Sequence, residues 1–83
     1  MNNIFVDEAW EEYIQWQIRD KKIAVRINEL IKDINRNGLS EGIGKPEPLR
    51  SRRITQEHRL VYNIDENKNL IILSCKGHYE NKK

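Results

Sequence analysis

Apolar residues recur with a helical period in the first half of the chain and with a two-residue period in the second, and the change falls near Gly38. Asn3 to Val6 is a short β-tolerant run ahead of Asp7, a residue type suited to an N-cap, so a short strand and then a helix are expected. From Glu8 to about Arg19, Ala9, Tyr13 and Trp16 fall at i, i+4 and i+7, with Trp10, Ile14 and Gln17 on the adjoining stripe. That face is wider than one small sheet can cover. Asp20 then caps a second helix, in which Ile23, Ile27, Leu30, Ile31 and Ile34 hold one face while Lys21, Lys22, Arg26, Lys32 and Asp33 lie off it. Asn37-Gly38 ends this helix, because glycine takes the left-handed conformation favoured at a helix C-terminus.

Gly42, Gly44, Pro46 and Pro48 break regular structure from about Leu39 to Pro48, which reads as a loop or as an edge entering a sheet. Arg52 to Thr55, Arg59 to Ile64 and Leu70 to Lys76 are expected strands of an antiparallel meander, the last two joined by the polar turn Asp65 to Asn69. Leu60, Tyr62 and Ile64 alternate with Arg59, Val61 and Asn63, so Arg59 projects from the face opposite Leu60. The order β-α-α-β-β-β predicts an α+β fold, two N-terminal helices packed on one face of a twisted antiparallel sheet.

Eighty-three residues make one small domain, 1–83, since two would each have too little core. No apolar run reaches the roughly 20 residues of a membrane span and no signal-peptide layout opens the chain, so a cytoplasmic protein without membrane contact is expected. The single cysteine, Cys75, forms no internal disulfide and reads as small core filler. Without a covalent staple, association is a natural source of extra burial, and some of the aromatic surface of Trp10, Tyr13 and Trp16 is expected to be buried across a two-fold contact. The net charge of +2 is unevenly spread: residues 1–41 carry −2 and residues 42–83 carry +4. Lys45, Arg50, Arg52, Arg53 and Arg59 crowd together in the basic half, a density that suits phosphate as well as it suits a solvated sheet face.

There is no glycine-rich phosphate loop, the two histidines lack ligand spacing with carboxylates, and Ser40, Ser51 and Ser74 are not in a nucleophile elbow. What remains is Glu47, Arg52, Arg53, Arg59, His78 and Tyr79. RNA cleavage without a metal needs a base for the 2′-hydroxyl, an acid for the 5′-oxygen and cations for the phosphorane, and this half of the chain offers each. Each residue also has a plainer reading: Glu47 as a solvated edge residue, Arg59 paired with Glu57, and His78-Tyr79 as a fraying tail. His58 reads as a structural turn residue beside the arginine.

The segments Trp10…Tyr13…Trp16-Gln17, Gly44-Lys45-Pro46-Glu47-Pro48-Leu49, Ser51-Arg52-Arg53-Ile54-Thr55-Gln56-Glu57-His58-Arg59-Leu60-Val61-Tyr62 and His78-Tyr79 resemble the YoeB-type toxins of the RelE superfamily over nearly the whole chain. The resemblance implies a microbial-RNase-like fold and a ribosome-dependent, cofactor-free endoribonuclease that cuts mRNA in the decoding site. It implies a homodimer, neutralisation by a YefM-like antitoxin, and contact with operator DNA only through that antitoxin. By motif, Glu47 is implied as general base, Arg59 as phosphate clamp, His78 as general acid and Tyr79 as a substrate-orienting ring, with Lys45, Arg52 and Arg53 holding the RNA backbone. The rival is a catalytically weak relative that acts with its antitoxin as a co-repressor.

Two departures stand out. The family carries a loop of several residues where only Arg50 separates Leu49 from Ser51. Since Arg50-Ser51 is poor chemistry for a tight turn, either the strands rearrange or a segment is missing there, and a missing segment is the stronger expectation. The tail Glu80 to Lys83 extends past the tyrosine at which relatives often end.

Overall fold

The computed structural model describes residues 2–37 and 50–77. In chain order these form β1 (Asn3–Phe5), α1 (Asp7–Arg19), α2 (Lys21–Asn37), β2 (Ser51–Arg53), β3 (Arg59–Ile64) and β4 (Leu70–Ser74). The stretch from Leu39 to Pro48 and the end of α2 at Gly38 lie outside the described residues.

Val6, not Asp7, occupies the N-cap of α1 and makes no side-chain cap bond. Asp7 and Glu8 instead place negative charge in the first turn, where the unpaired N–H groups favour it. Asp20 alone joins the two helices. Its backbone N–H closes α1 on the Trp16 carbonyl (2.8 Å), and its carboxylate accepts from the Lys22 N–H (3.1 Å) to open α2.

β2, β3 and β4 form the antiparallel meander, with Arg52 opposite Leu60, Arg53 opposite Arg59 and Tyr62 opposite Ile72. β1 adds in parallel beside β4, so the sheet is mixed and runs β1-β4-β3-β2. The helices bury Ile27, Leu30, Ile31 and Ile34 against Leu60, Tyr62, Leu70 and Ile72, and burying each such side chain is worth about 1.5–3 kcal/mol. Between Val61 and Tyr62 the β3–β4 register slips, and the residue left over on β4 is Leu73. That bulge leaves Leu73 exposed while Cys75 is fully buried in the core, as its small size suggests.

Trp16 is buried within the chain, and its indole N–H donates to the Cys75 carbonyl (2.8 Å). The expectation that it serves a dimer contact gives way here, because the α1 stripe divides between two environments. Trp10 is 47% exposed and packs edge-on to Phe5, with Tyr13 alongside both rings. Ile18, farther along the same helix, is 80% exposed.

The expected missing segment between Leu49 and Ser51 falls at the edge of the described residues, which resume at Arg50. Arg50 takes the left-handed region itself (φ 60). Its carbonyl accepts from the Tyr62 N–H (3.0 Å) and its guanidinium donates to Asn63 Oδ1, contacts that offset the roughly 1–2 kcal/mol cost of this conformation in a residue with a Cβ. The β3–β4 turn uses the same device at Lys68 (φ 67), and there the Asp65 carboxylate accepts from the backbone N–H groups of Asn67 and Asn69. Among the described residues no helix is long and apolar enough to cross a membrane.

Candidate functional site

Strand pleating decides which arginines share a face. Adjacent residues on β2 point to opposite sides of the sheet, so Arg52 goes with Leu60 toward the helices and Arg53 goes with Arg59 away from them. Arg52 is completely buried. One of its Nη nitrogens lies 2.6 Å from Asp33 Oδ2 on α2, and its Nε donates to the Tyr62 hydroxyl at 3.2 Å. The Asn37 side chain, one turn further on, donates to the other Asp33 oxygen at 2.7 Å. The expectation that Arg52 holds an RNA backbone is therefore corrected: its guanidinium joins helix to sheet under the core face.

Arg59 stands on the other face, as the alternation predicted, and is 3% exposed. Its Nε donates to Ser51 Oγ (2.9 Å) and one Nη to the Ser51 carbonyl (3.3 Å), a side-on grip that fixes the plane of the guanidinium. Ser51 sits two positions diagonally across the β2–β3 ladder and is itself fully buried. Glu57, the carboxylate considered for Arg59, is exposed. Arg53, directly opposite Arg59, is half-buried, and its carbonyl accepts from the Arg26 guanidinium at 3.5 Å. The structure thus brings Arg53 and Arg59 together and removes Arg52 from their company. Lys45, Glu47, His78 and Tyr79 lie outside the described residues.

The residues that sequence reasoning left out are the ones that hold Arg59. Ser51 was set aside because it lacks the context of a nucleophile; what it supplies is an acceptor, and its i+8 spacing to Arg59 becomes meaningful only once the β2–β3 register is known. Gly77 is the second. Its carbonyl accepts the Arg59 backbone N–H at 2.9 Å, and its own N–H donates to His58 Nδ1 at 2.8 Å.

Elsewhere, a groove of about 330 Å³ beside α2 is lined by Arg26, Glu29, Lys32, Asp33 and Arg36, and among the described residues neither Arg53 nor Arg59 lines it. Among the described residues no three His, Cys, Asp or Glu side chains gather as a metal site would require, and every buried side-chain nitrogen or oxygen has a hydrogen-bond partner. Asp65, in the exposed turn, is held below the ordinary carboxylate range, chiefly by the Asn69 backbone N–H.

Residues 5–79 match the sequence profile of the YoeB-like toxin of bacterial type II toxin–antitoxin systems. Toxin YoeB of Escherichia coli K12 is 49% identical over 86 aligned positions, which cover 95% of this chain and all of that protein. Toxin YoeB of Synechocystis is 47% identical, covering 96% of this chain and 99% of the relative. Among solved structures, the YoeB dimer of Staphylococcus aureus superposes with a TM-score of 0.89 at 50% identity, covering 95% of this chain and 98% of that one. The toxin from the heterotetrameric YoeB–YefM complex of the same organism superposes at 0.85 with 51% identity and the same coverage.

Proposed function

Because the chain belongs to the YoeB-like toxins of bacterial type II toxin–antitoxin systems, we propose that it inhibits translation as a metal-independent mRNA endoribonuclease acting in the ribosomal A site. The observation that carries this reading is Arg59, a permanent cation gripped side-on by Ser51 on the sheet face away from the helices. A charge held rigidly in a poorly solvated place needs no reorganisation when negative charge develops at phosphorus, and there it acts more strongly than it would in water.

In this reading Glu47 takes the proton of the 2′-hydroxyl, and the 2′-oxygen attacks the adjacent phosphorus. Arg59 stabilises the phosphorane. The bond from phosphorus to the 5′-oxygen breaks as His78 protonates that leaving oxygen, giving a 2′,3′-cyclic phosphate and a 5′-hydroxyl. Tyr79 orients the base, while Lys45 and Arg53 hold the flanking backbone. The partner that silences this site is a YefM-like antitoxin, a proposal supported by the staphylococcal YoeB–YefM complex. An acidic segment laid over Arg53 and Arg59 would exclude RNA directly, so inhibition should be competitive. The staphylococcal dimer supports a homodimer for this chain too, with Trp10 and the exposed end of α1 as its apolar surface.

A translation extract programmed with a defined mRNA tests the proposal. Cleavage mapped to the A-site codon is the expected result. Translation arrest without a cut, or operator binding with the antitoxin and no arrest, would replace the nuclease by a binding role.

A further inference from the structure

β4 ends at Ser74, yet the chain remains fastened for three residues more, up to the residue before His78. The Cys75 N–H donates to Glu12 Oε1 (2.8 Å), and its carbonyl accepts from the Trp16 indole (2.8 Å), so α1 grips this peptide from both sides. Gly77 is held next, its N–H by His58 Nδ1 (2.8 Å) and its carbonyl by the Arg59 N–H (2.9 Å). Gly77 lies at φ 83, a conformation that glycine alone adopts cheaply.

His58 is well placed for this task. Its N–H donates to Thr55 Oγ1 (3.1 Å), its carbonyl accepts from the Ile54 and Thr55 N–H groups (2.9 and 3.1 Å), and its ring meets Trp16 edge-on with centroids 4.8 Å apart. Backbone and ring are therefore both fixed, and Nδ1 is left to act as an acceptor, which requires the ring proton to be on Nε2. The same residue immediately precedes Arg59, so one dipeptide grips both polar groups of Gly77.

From this we infer that His58 is a positioning residue for RNA cleavage: through Gly77 it sets where the chain continuing into His78 leaves the sheet relative to Arg59. The inference rests on the nuclease reading above. It extends that reading, because without such a clasp the entropy cost of ordering the chain after β4 would fall on the catalytic step.

The test is a pair of variants that differ in where they put an acceptor. His58→Asn places its amide oxygen where Nδ1 was, while His58→Gln carries the oxygen one carbon beyond it. Two readouts are taken on each full-length protein: single-turnover cleavage on programmed ribosomes, and hydrogen exchange at the Gly77 amide by NMR. His58→Asn should stay within about threefold of the parent in both, whereas His58→Gln should cleave roughly tenfold more slowly, with faster Gly77 exchange and unchanged ribosome affinity. His58→Leu, which keeps volume without an acceptor, should behave as His58→Gln does, so the comparison survives the loss of either variant's fold. Equal cleavage by the Asn and Gln variants of an active parent overturns the inference alone. A parent that opens no phosphodiester bond on the ribosome overturns the nuclease reading and the inference with it.

Discussion

Replacing Arg52 by methionine separates a structural arginine from an RNA-binding one. The substitution keeps most of the side-chain volume but leaves the Asp33 carboxylate, only 11% accessible, without the guanidinium now 2.6 Å away. Removing one partner of a buried ion pair costs about 3–5 kcal/mol, because the remaining charge is left poorly solvated. At roughly 0.05–0.15 kcal/mol per residue, the whole domain is stable by only about 4–12 kcal/mol. The lower loss alone should therefore move the melting temperature down by roughly 12–24 °C, taking about 4–8 °C per kcal/mol for a domain of this size. The double variant Asp33→Leu/Arg52→Met removes both charges together. It should recover most of the deficit, forfeiting the Arg52 bond to the Tyr62 hydroxyl and the Asn37 bond to Asp33 at about 1 kcal/mol each. Urea and thermal unfolding followed by circular dichroism give these values, and cleavage is assayed at a temperature where every variant is folded. Under those conditions Arg52→Met should cut at near the parent rate. A variant that melts with the parent but fails to cut would refute the reasoning and return Arg52 to the RNA.

Glu47→Ala and His78→Ala should each lower single-turnover cleavage by roughly 10²-fold or more while ribosome binding barely changes; a Glu47→Ala protein cutting at the parent rate would show the base to be misassigned. Trp10→Ala should shift the protein toward monomer and make its melting depend more steeply on concentration, whereas Trp16→Ala should destabilise at every concentration, since Trp16 is already buried within one chain; sedimentation of the parent as a monomer at micromolar concentration would exclude the first effect. The Asp65 carboxylate is depressed in the folded state by the Asn69 N–H, so its contribution to stability is present above the unfolded carboxylate value and lost as pH falls through the folded one; Asp65→Asn should flatten that acid limb, and an unchanged slope in pH-dependent urea unfolding would count against the turn's role.

The elements were legible because each has a strong period. The Ile23–Ile27–Leu30–Ile34 stripe of α2 and the Leu60–Tyr62 alternation of β3 appear in the structure where the pattern put them. Pairing was less legible. β1 is three residues long, and nothing local to Asn3–Phe5 states that it lies parallel to β4. At the site, alternation was enough to turn Arg59 away from the helices, but the same rule applied to β2 would have separated Arg52 from Arg53, and charge clustering along the sequence hid that. A run of basic residues reads as one patch only where the backbone does not alternate. Ser51 and Gly77 escaped notice because their contribution is a backbone or hydroxyl group brought close by register, for which residue type is a weak signal.

β4, made last, lies inside the sheet between β1, made first, and β3. Asn3 must wait for Leu70 before it has a strand to pair with. A nascent chain that has delivered both helices and half the meander therefore has an unpaired first strand, an uncovered helix face and, as yet, no Gly77 for His58 and Arg59 to hold. Closing so long a loop slows folding and makes it all-or-none, with little reward for partial structure. For a toxin proposed to arrest translation, this is a form of timing: a chain cut short before Leu70 cannot assemble the sheet on which Arg59 is presented, and any potency arrives only with the completed fold.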